Sequence, residues 1–89
     1  MEKNYIYILK QEGTNIIKIG VTNDLDKRLR SIQTGNPNKI SIYHFEERNN
    51  AYKVESYLKK KFIKYKKEGE WYENLDPLEV RLELFQYIS

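Results

Sequence analysis

The chain has 89 residues, enough for one domain and too few for two, and a fold of that size buries only about 60–65% of its unfolded surface. One third of the residues are charged and the net charge is +3, a mild basic bias that permits a polyanionic partner without demanding one. There is no cysteine, which excludes disulfides, cysteine-ligated zinc and a thiol nucleophile, and no apolar run approaches the ~18–20 residues of a membrane span.

Residues 4–10 alternate aromatic and aliphatic side chains, Tyr5-Ile6-Tyr7-Ile8-Leu9, which predicts a strand that is apolar on both faces. Gln11 to Asn15 form a turn in which Gly13 is free to take a positive φ. Residues 16–21 predict a second strand, and so short a connection predicts an antiparallel hairpin. Gly20 within it permits close backbone approach to another element or to a ligand. Thr22-Asn23-Asp24 offers helix N-caps, and Leu25, Leu29 and Ile32 carry a helix to about Gln33. Gly35 stops that helix and Pro37 resists its continuation, so residues 34–38 read as a rigid turn. Residues 39–46 alternate again, with Ile40, Ile42 and Tyr43, as a third strand. Asn49-Asn50 caps a second helix over residues 51–66, with Val54, Tyr57, Leu58, Phe62 and Tyr65 spaced by three or four, and residues 66–69 end it. Glu70-Trp71-Tyr72 is a short edge strand. Asp76 is a cap with Pro77 at the first helical position, and Leu78, Val80, Leu82, Leu84, Phe85 and Ile88 support a C-terminal helix. The order β-β-α-β-α-(β)-α predicts an α+β fold, a small and mainly antiparallel sheet flanked by helices, in one domain over residues 1–89. The start Met1-Glu2-Lys3-Asn4 lacks the apolar stretch of a signal peptide, so the expected location is cytoplasmic.

The strongest basic cluster is Lys59, Lys60, Lys61, Lys64, Lys66 and Lys67 around the second helix. It is either a solvated helix surface or a nonspecific DNA-tracking surface whose binding weakens steeply in salt. Tyr52 and Tyr65 interleave as candidate stacking groups, and core packing explains Tyr65 equally well. His44, the only histidine, lies on the third strand between Tyr43 and Phe45, where a structural role and an acid–base role are the alternatives.

Tyr5-Ile6-Tyr7, followed by Ile8-Leu9, and Lys18-Ile19-Gly20, followed by Val21 to Leu25 and Arg28, resemble the paired motifs of the GIY-YIG nuclease superfamily. The chain is similar in particular to a short branch common in phage and bacterial proteins. It shares with that branch the segment from Arg28 to Pro37, a helix with a central glutamate (Glu55) and the ending Gly69-Glu70-Trp71-Tyr72. The resemblance covers about residues 4–75, with four motifs in order. It implies a metal-dependent DNA endonuclease that hydrolyses phosphodiester bonds with little intrinsic sequence preference.

The resemblance also implies roles. Tyr7 is the candidate base; a phenol with a pKa near ~10 is a poor base at neutral pH, so Lys18 or Arg28 is expected to supply a field that lowers it. Arg28 is suited to the anion, because a guanidinium forks onto two phosphate oxygens and stays charged. Glu55 corresponds to the ligand of a single divalent ion, and a hard oxygen donor suits Mg2+ or Mn2+. The rival for Glu55 is an ordinary helix-surface pair with Lys59, four residues on. Arg30, Lys59, Lys60 and Asn74 are candidate nucleic-acid contacts, with a solvated arginine and a turn asparagine as rivals at Arg30 and Asn74. Two departures stand out: Lys18 replaces the tyrosine of the second motif, and Lys59 stands where the branch often carries histidine. The chain carries no separate DNA-binding domain, which leaves a partner protein or a homodimer to supply specificity. A nucleic-acid-binding module with weak or no catalysis, and a small protein-interaction or inhibitor protein, are the alternatives.

Overall fold

The structure, a computed structural model, describes residues 3–87. Its elements are β1 (Tyr5–Gln11), β2 (Ile16–Thr22), α1 (Leu25–Thr34), β3 (Ile40–Glu47), α2 (Ala51–Lys61), a 3₁₀ turn (Ile63–Tyr65), β4 (Trp71–Glu73) and α3 (Pro77–Gln86). The four strands form one antiparallel sheet in the order β3-β1-β2-β4. The expected α+β class is therefore the observed one, with three helices around the sheet.

β1 lies in the middle of the sheet, which explains why its side chains are apolar on both faces. Ile6 and Ile8 join Ile17, Ile19 and Val21 of β2 on one face, where Val54 and Leu58 of α2 and Val80 and Leu84 of α3 cover them. Tyr7 and Leu9 point to the other face with Ile40, under Leu25, Leu29 and Ile32 of α1 and beside Trp71. The hairpin turn forms as expected, with Gly13 at φ 79°. The β1–β3 register shifts between Ile8 and Leu9, so that Ile8 pairs with His44 and Leu9 with Ile42, leaving Tyr43 as the extra residue.

Local polar groups fix the ends. The Asp24 side chain accepts from the Lys27 N–H at 3.1 Å and caps α1. Asp76 accepts from the Leu78 N–H at 2.9 Å and caps α3, with Pro77 behind it. Gln33 makes the following loop rigid: its amide donates to the Asn38 carbonyl at 2.9 Å, and its Oε1 accepts from the Ile40 N–H at 2.8 Å. Asn50 occupies the cap position of α2 but makes no side-chain cap bond, contrary to expectation.

Two further expectations change. The second helix stops at Lys61 rather than near Lys66. Phe62 and Tyr65 turn inward through the 3₁₀ turn, and the chain then doubles back so that Lys66 bridges Tyr72 and the Lys67 N–H donates to the Trp71 carbonyl at 2.9 Å. A helix cannot continue through residues that must pair with β4. Gly69, at φ 54°, turns this small hairpin instead of ending a helix. In α3 only Val80 and Leu84 are fully buried, whereas Leu78, Leu82 and Phe85 are exposed, Phe85 by 85%. Ile88 lies outside the described residues. Among the described residues no helix is long and apolar enough to cross a membrane.

Leu84 and Phe85 are neighbours with opposite surroundings, so truncation separates them. Leu84→Ala should cost about 2–5 kcal/mol in urea unfolding. Phe85→Ser should stay within about 0.5 kcal/mol of the parent.

Candidate active site

Tyr7 and Gly20 are direct cross-strand partners of β1 and β2. The phenol ring lies across the glycine: a Cβ on Gly20 would overlap the Tyr7 hydroxyl, stand 2.5 Å from Tyr7 Cζ and come within 2.8 Å of Glu70 Oε1. Gly20 is thus required for space, not for an unusual backbone angle. The same short stretch of backbone brings Glu70 to this point, because the Glu70 carbonyl accepts from the Ile19 N–H at 3.2 Å just before β4 begins. β4 pairs only with Ile16–Lys18, so β2 runs on past its last partner in β4 toward Gly20.

The charged groups assemble around that contact from separate elements. Lys18 of β2 stands 3.6 Å from Glu70 and 4.7 Å above the ring of its partner Trp71, with its side chain only 12% exposed. Burial pulls its pKa down, against the attraction of Glu70. Arg28 is exposed on α1, the helix that covers the Tyr7 face, and its charge reaches Tyr7, Lys18 and Glu55. Glu55 is buried on α2, 8% exposed, with its carboxylate 3.6 Å from Lys59. Burial raises the Glu55 pKa above the usual carboxylate range; Lys59 works against the shift and the Glu70 charge adds to it. An open groove of about 240 Å³, lined by Thr22, Asn23, Asp24, Lys27, Arg28 and Ser31, runs beside Arg28.

The state of Tyr7 differs from the expectation that a neighbouring cation depresses its pKa. Burial raises it strongly, the Glu70 carboxylate raises it further, and the lowering by Arg28 does not compensate. In the free protein Tyr7 is therefore a neutral phenol at pH 7. Lys18 is directed at Glu70 rather than at the phenol. The hydroxyls of both Tyr7 and Tyr72 are buried and make no hydrogen bond of ordinary geometry, although Glu70 lies near enough to bias the Tyr7 proton. Burial, Glu55 and Glu70 all push Tyr72 up as well.

The structure does not bring every sequence candidate here. Asn74, at φ 64°, bonds through its side chain to Asn15 and through its N–H to the Asn15 carbonyl at 3.0 Å. That places it beyond Ile16, about 13 Å along β2 from Gly20 at ~3.3 Å per residue. Arg30 and Lys60 are exposed. Lys59 is engaged with Glu55, Lys61 faces Glu83 at 3.8 Å and Lys67 faces Glu73 at 3.7 Å, so the basic cluster is partly neutralised. His44 sits 2.8 Å from Glu46, which also accepts from Arg48 at 2.5 Å, and Arg48 donates to the Leu84 carbonyl at 2.7 Å. That chain ties β3 to α3 and gives His44 a structural place. Two members of the site were missed by sequence reasoning, Glu70 and Tyr72. Their signal was the Gly69-Glu70-Trp71-Tyr72 run; it carries the edge strand expected there, and the pairing of β4 with β2 brings Glu70 to the site.

Among the described residues no three of histidine, aspartate and glutamate stand close enough to cage a metal ion. The oxygens nearest Gly20, those of Tyr7 and Glu70, are nonetheless of the hard kind a divalent ion takes, and the buried Glu55 carboxylate lies within electrostatic reach of both. Such an ion would be held by few protein ligands and completed by water or a phosphate.

A four-stranded antiparallel sheet with three helices and this site defines a small phage-associated α+β domain related to nuclease-like folds. The chain belongs to the T5orf172 domain family, whose profile matches residues 4–86. Comparison with curated proteins and with solved structures gave no match.

Gly20→Ala should destabilise the fold by about 1–3 kcal/mol through the collision with Tyr7. Combining it with Tyr7→Leu should recover part of that loss, a coupling that a double-mutant cycle reads directly. Glu55→Gln should raise Tm at pH 7, because the buried carboxylate has a raised folded pKa and its ionised form opposes folding. The gain should fade as the pH falls through that folded pKa toward the unfolded value of 4.5.

Proposed function

We propose that this chain is a metal-dependent DNA endonuclease of the GIY-YIG type, acting on the phosphate backbone with little intrinsic sequence preference inside the cell. The observation that supports this reading is that Arg28 of α1 and Glu55 of α2 act on the charge of Tyr7, with Lys18 of β2 paired to Glu70 beside the Gly20 contact. Tyr7 also fills the core under α1, but Arg28, Lys18 and Glu55 are not needed for packing in the way that Ile6 or Leu58 is.

Phosphodiester hydrolysis requires an activated water, neutralised phosphoryl charge and a stabilised leaving oxygen. Glu55 would hold a Mg2+ or Mn2+ ion, which would supply Lewis-acid polarisation of the phosphate when bound. Arg28, exposed beside an open groove, forks onto the non-bridging oxygens and holds their charge. Tyr7 orients the attacking water through its hydroxyl. Its neutral state in the free protein means that it accepts the water proton only as its own proton leaves toward Glu70, once positive charge has gathered at the site. Lys18 lies close enough to take part in binding the scissile phosphate when it leaves Glu70. Exposed Arg30 and Lys60 extend the cationic surface toward the duplex, and a partner protein or a second copy of the chain supplies whatever specificity the cell requires.

The two lysine–carboxylate pairs, Lys18 with Glu70 and Lys59 with Glu55, favour a second reading. If those pairs persist when DNA binds, the domain is a nucleic-acid-binding module with weak turnover.

Supercoiled plasmid separates the two. Nicking should require Mg2+ or Mn2+ and stop with excess chelator. It should be abolished by Glu55→Ala and fall by about 10²–10³ in Arg28→Ala. Tyr7→Phe should lose about 10²–10⁴. Salt-sensitive DNA binding by folded protein with no cleavage of plasmid or branched DNA would leave the binding module as the function.

A further inference from the structure

In the account above the carboxylate of Glu70 serves only Tyr7, through its field and as the acceptor of the phenol proton. It is nevertheless placed with care. Its Oε1 and the Tyr7 hydroxyl crowd the same point above the Gly20 α-carbon, where no side chain other than glycine's hydrogen would fit. The Ile19 N–H bond fixes the Glu70 backbone beside Gly20, and the carboxylate reaches the Gly20 contact from there. Glu70 and Glu55 lie within electrostatic reach of each other, and both act on the buried hydroxyls of Tyr7 and Tyr72. Both phenols are completely buried; the Tyr7 hydroxyl lies against the Glu70 carboxylate, and the hydroxyl of Tyr72, whose ring packs on the other face of the sheet, has no hydrogen-bond partner among the described residues. Two carboxylates within electrostatic reach of each other and of these hydroxyls leave more oxygen lone pairs than protein donors. Among the described residues the only cations that approach the two carboxylates as ion pairs are lysines at 3.6 Å, longer than a tight charge-assisted bond of about 2.7–2.9 Å. A loosely held ammonium over an oxygen-rich point is what a displaceable counter-ion looks like.

We propose that Glu70 is a second protein ligand, with Glu55, for a divalent cation, and that Lys18 is the internal counter-ion that holds this carboxylate until the cation displaces it. The inference takes its ion class from the nuclease reading but not its evidence of catalysis. It accounts for two sequence features together: a lysine in place of the second-motif tyrosine, and a glutamate directly before the aromatic pair Trp71-Tyr72. A lysine opposite Trp71 stays in position by lying over the indole ring when its carboxylate partner is taken by the ion, which leaves the ammonium beside the site and free to meet an incoming phosphate. A merely structural Lys18–Glu70 pair makes a different prediction, because removing the lysine would then weaken the site instead of strengthening it.

The test is Mn2+ binding followed by electron paramagnetic resonance, without DNA, on the wild-type chain and on Glu55→Gln, Glu70→Gln and Lys18→Met, with Tm confirming that each is folded. Glu70→Gln should weaken Mn2+ binding by about tenfold or more. Lys18→Met keeps the contact with Trp71 but removes the competing charge, and should tighten binding by about threefold or more. If Glu70→Gln binds like wild type while Glu55→Gln is weakened, Glu70 is no ligand and the inference falls with the nuclease reading intact. If Lys18→Met fails to tighten binding, the counter-ion role falls; this arm decides alone should Glu70→Gln not fold. If the wild-type chain does not bind Mn2+ at all, the metal-dependent reading itself fails.

Discussion

The contact between the phenol of Tyr7 and the bare α-carbon of Gly20 is the constraint on which the site depends. It exists because β1 and β2 are cross-strand partners in one register, and a slip of one residue would turn Tyr7 to the α2 face and Ile6 or Ile8 to the α1 face. The register is held by the four-residue turn over residues 12–15, by the apolar residues on both faces of β1 and by β3 on its other side. Once it is set, Lys18 must share a face with Gly20, Trp71 must lie under Lys18, and Glu70 must arrive beside the glycine. α1 then covers the same face and carries Arg28 there, with its start fixed by the Asp24 cap.

The electrostatic design follows from burial. Glu55 and Glu70 bring two negative charges toward a phenol that burial has already made hard to ionise, and Lys18, Arg28 and Lys59 bring three positive ones. Burying an unpaired carboxylate costs far more than a surface pair returns. A helix evolved for stability alone would carry a neutral residue at position 55. A buried, lysine-paired glutamate with a raised pKa, next to a second carboxylate, is better explained by chemistry than by folding. The upward shift of Tyr7 fits the proposed function: burial and Glu70 keep the phenol neutral in the free domain, and added positive charge at the site would make it a stronger base.

Much of this was legible in the sequence, because the local signals were strong. The alternation in residues 4–10, the short turn around Gly13, the Asp24 and Asp76 caps and the Gly35-Pro37 break each act within a few residues of where they stand, and each appears where its chemistry places it. Apart from the Asn50 side chain, which makes no cap bond, the failures were tertiary. The second helix ends at Lys61 because residues 66–72 must pair with one another, which no local pattern in the lysine run reveals. The apolar residues of α3 divide between a buried pair and an exposed trio, a division set by where α2 lies and not by spacing. Asn74 reads as a site residue by its order in the chain, but sheet pairing places it at the Asn15 end. Glu70 and Tyr72 stand within a motif, yet only the approach of β4 to β2 shows that Glu70 meets Tyr7 and that Tyr72 feels the charges of Glu55 and Glu70. The direction of the Tyr7 shift was likewise out of reach, since burial and the Glu70 charge, which dominate it, are properties of the folded state.

The central claim is that divalent-ion chemistry is concentrated at the Gly20 contact. Amide NMR of the isotope-labelled chain with substoichiometric Mn2+ tests it most directly, because the paramagnetic ion broadens only the resonances near it. The account predicts loss of the Gly20, Glu55, Glu70 and Tyr72 amides, while those of Asn15 and Asn74 at the far end of β2 persist. Broadening centred on Glu12, Glu47 or the acids of α3, or spread evenly over the surface, would contradict it.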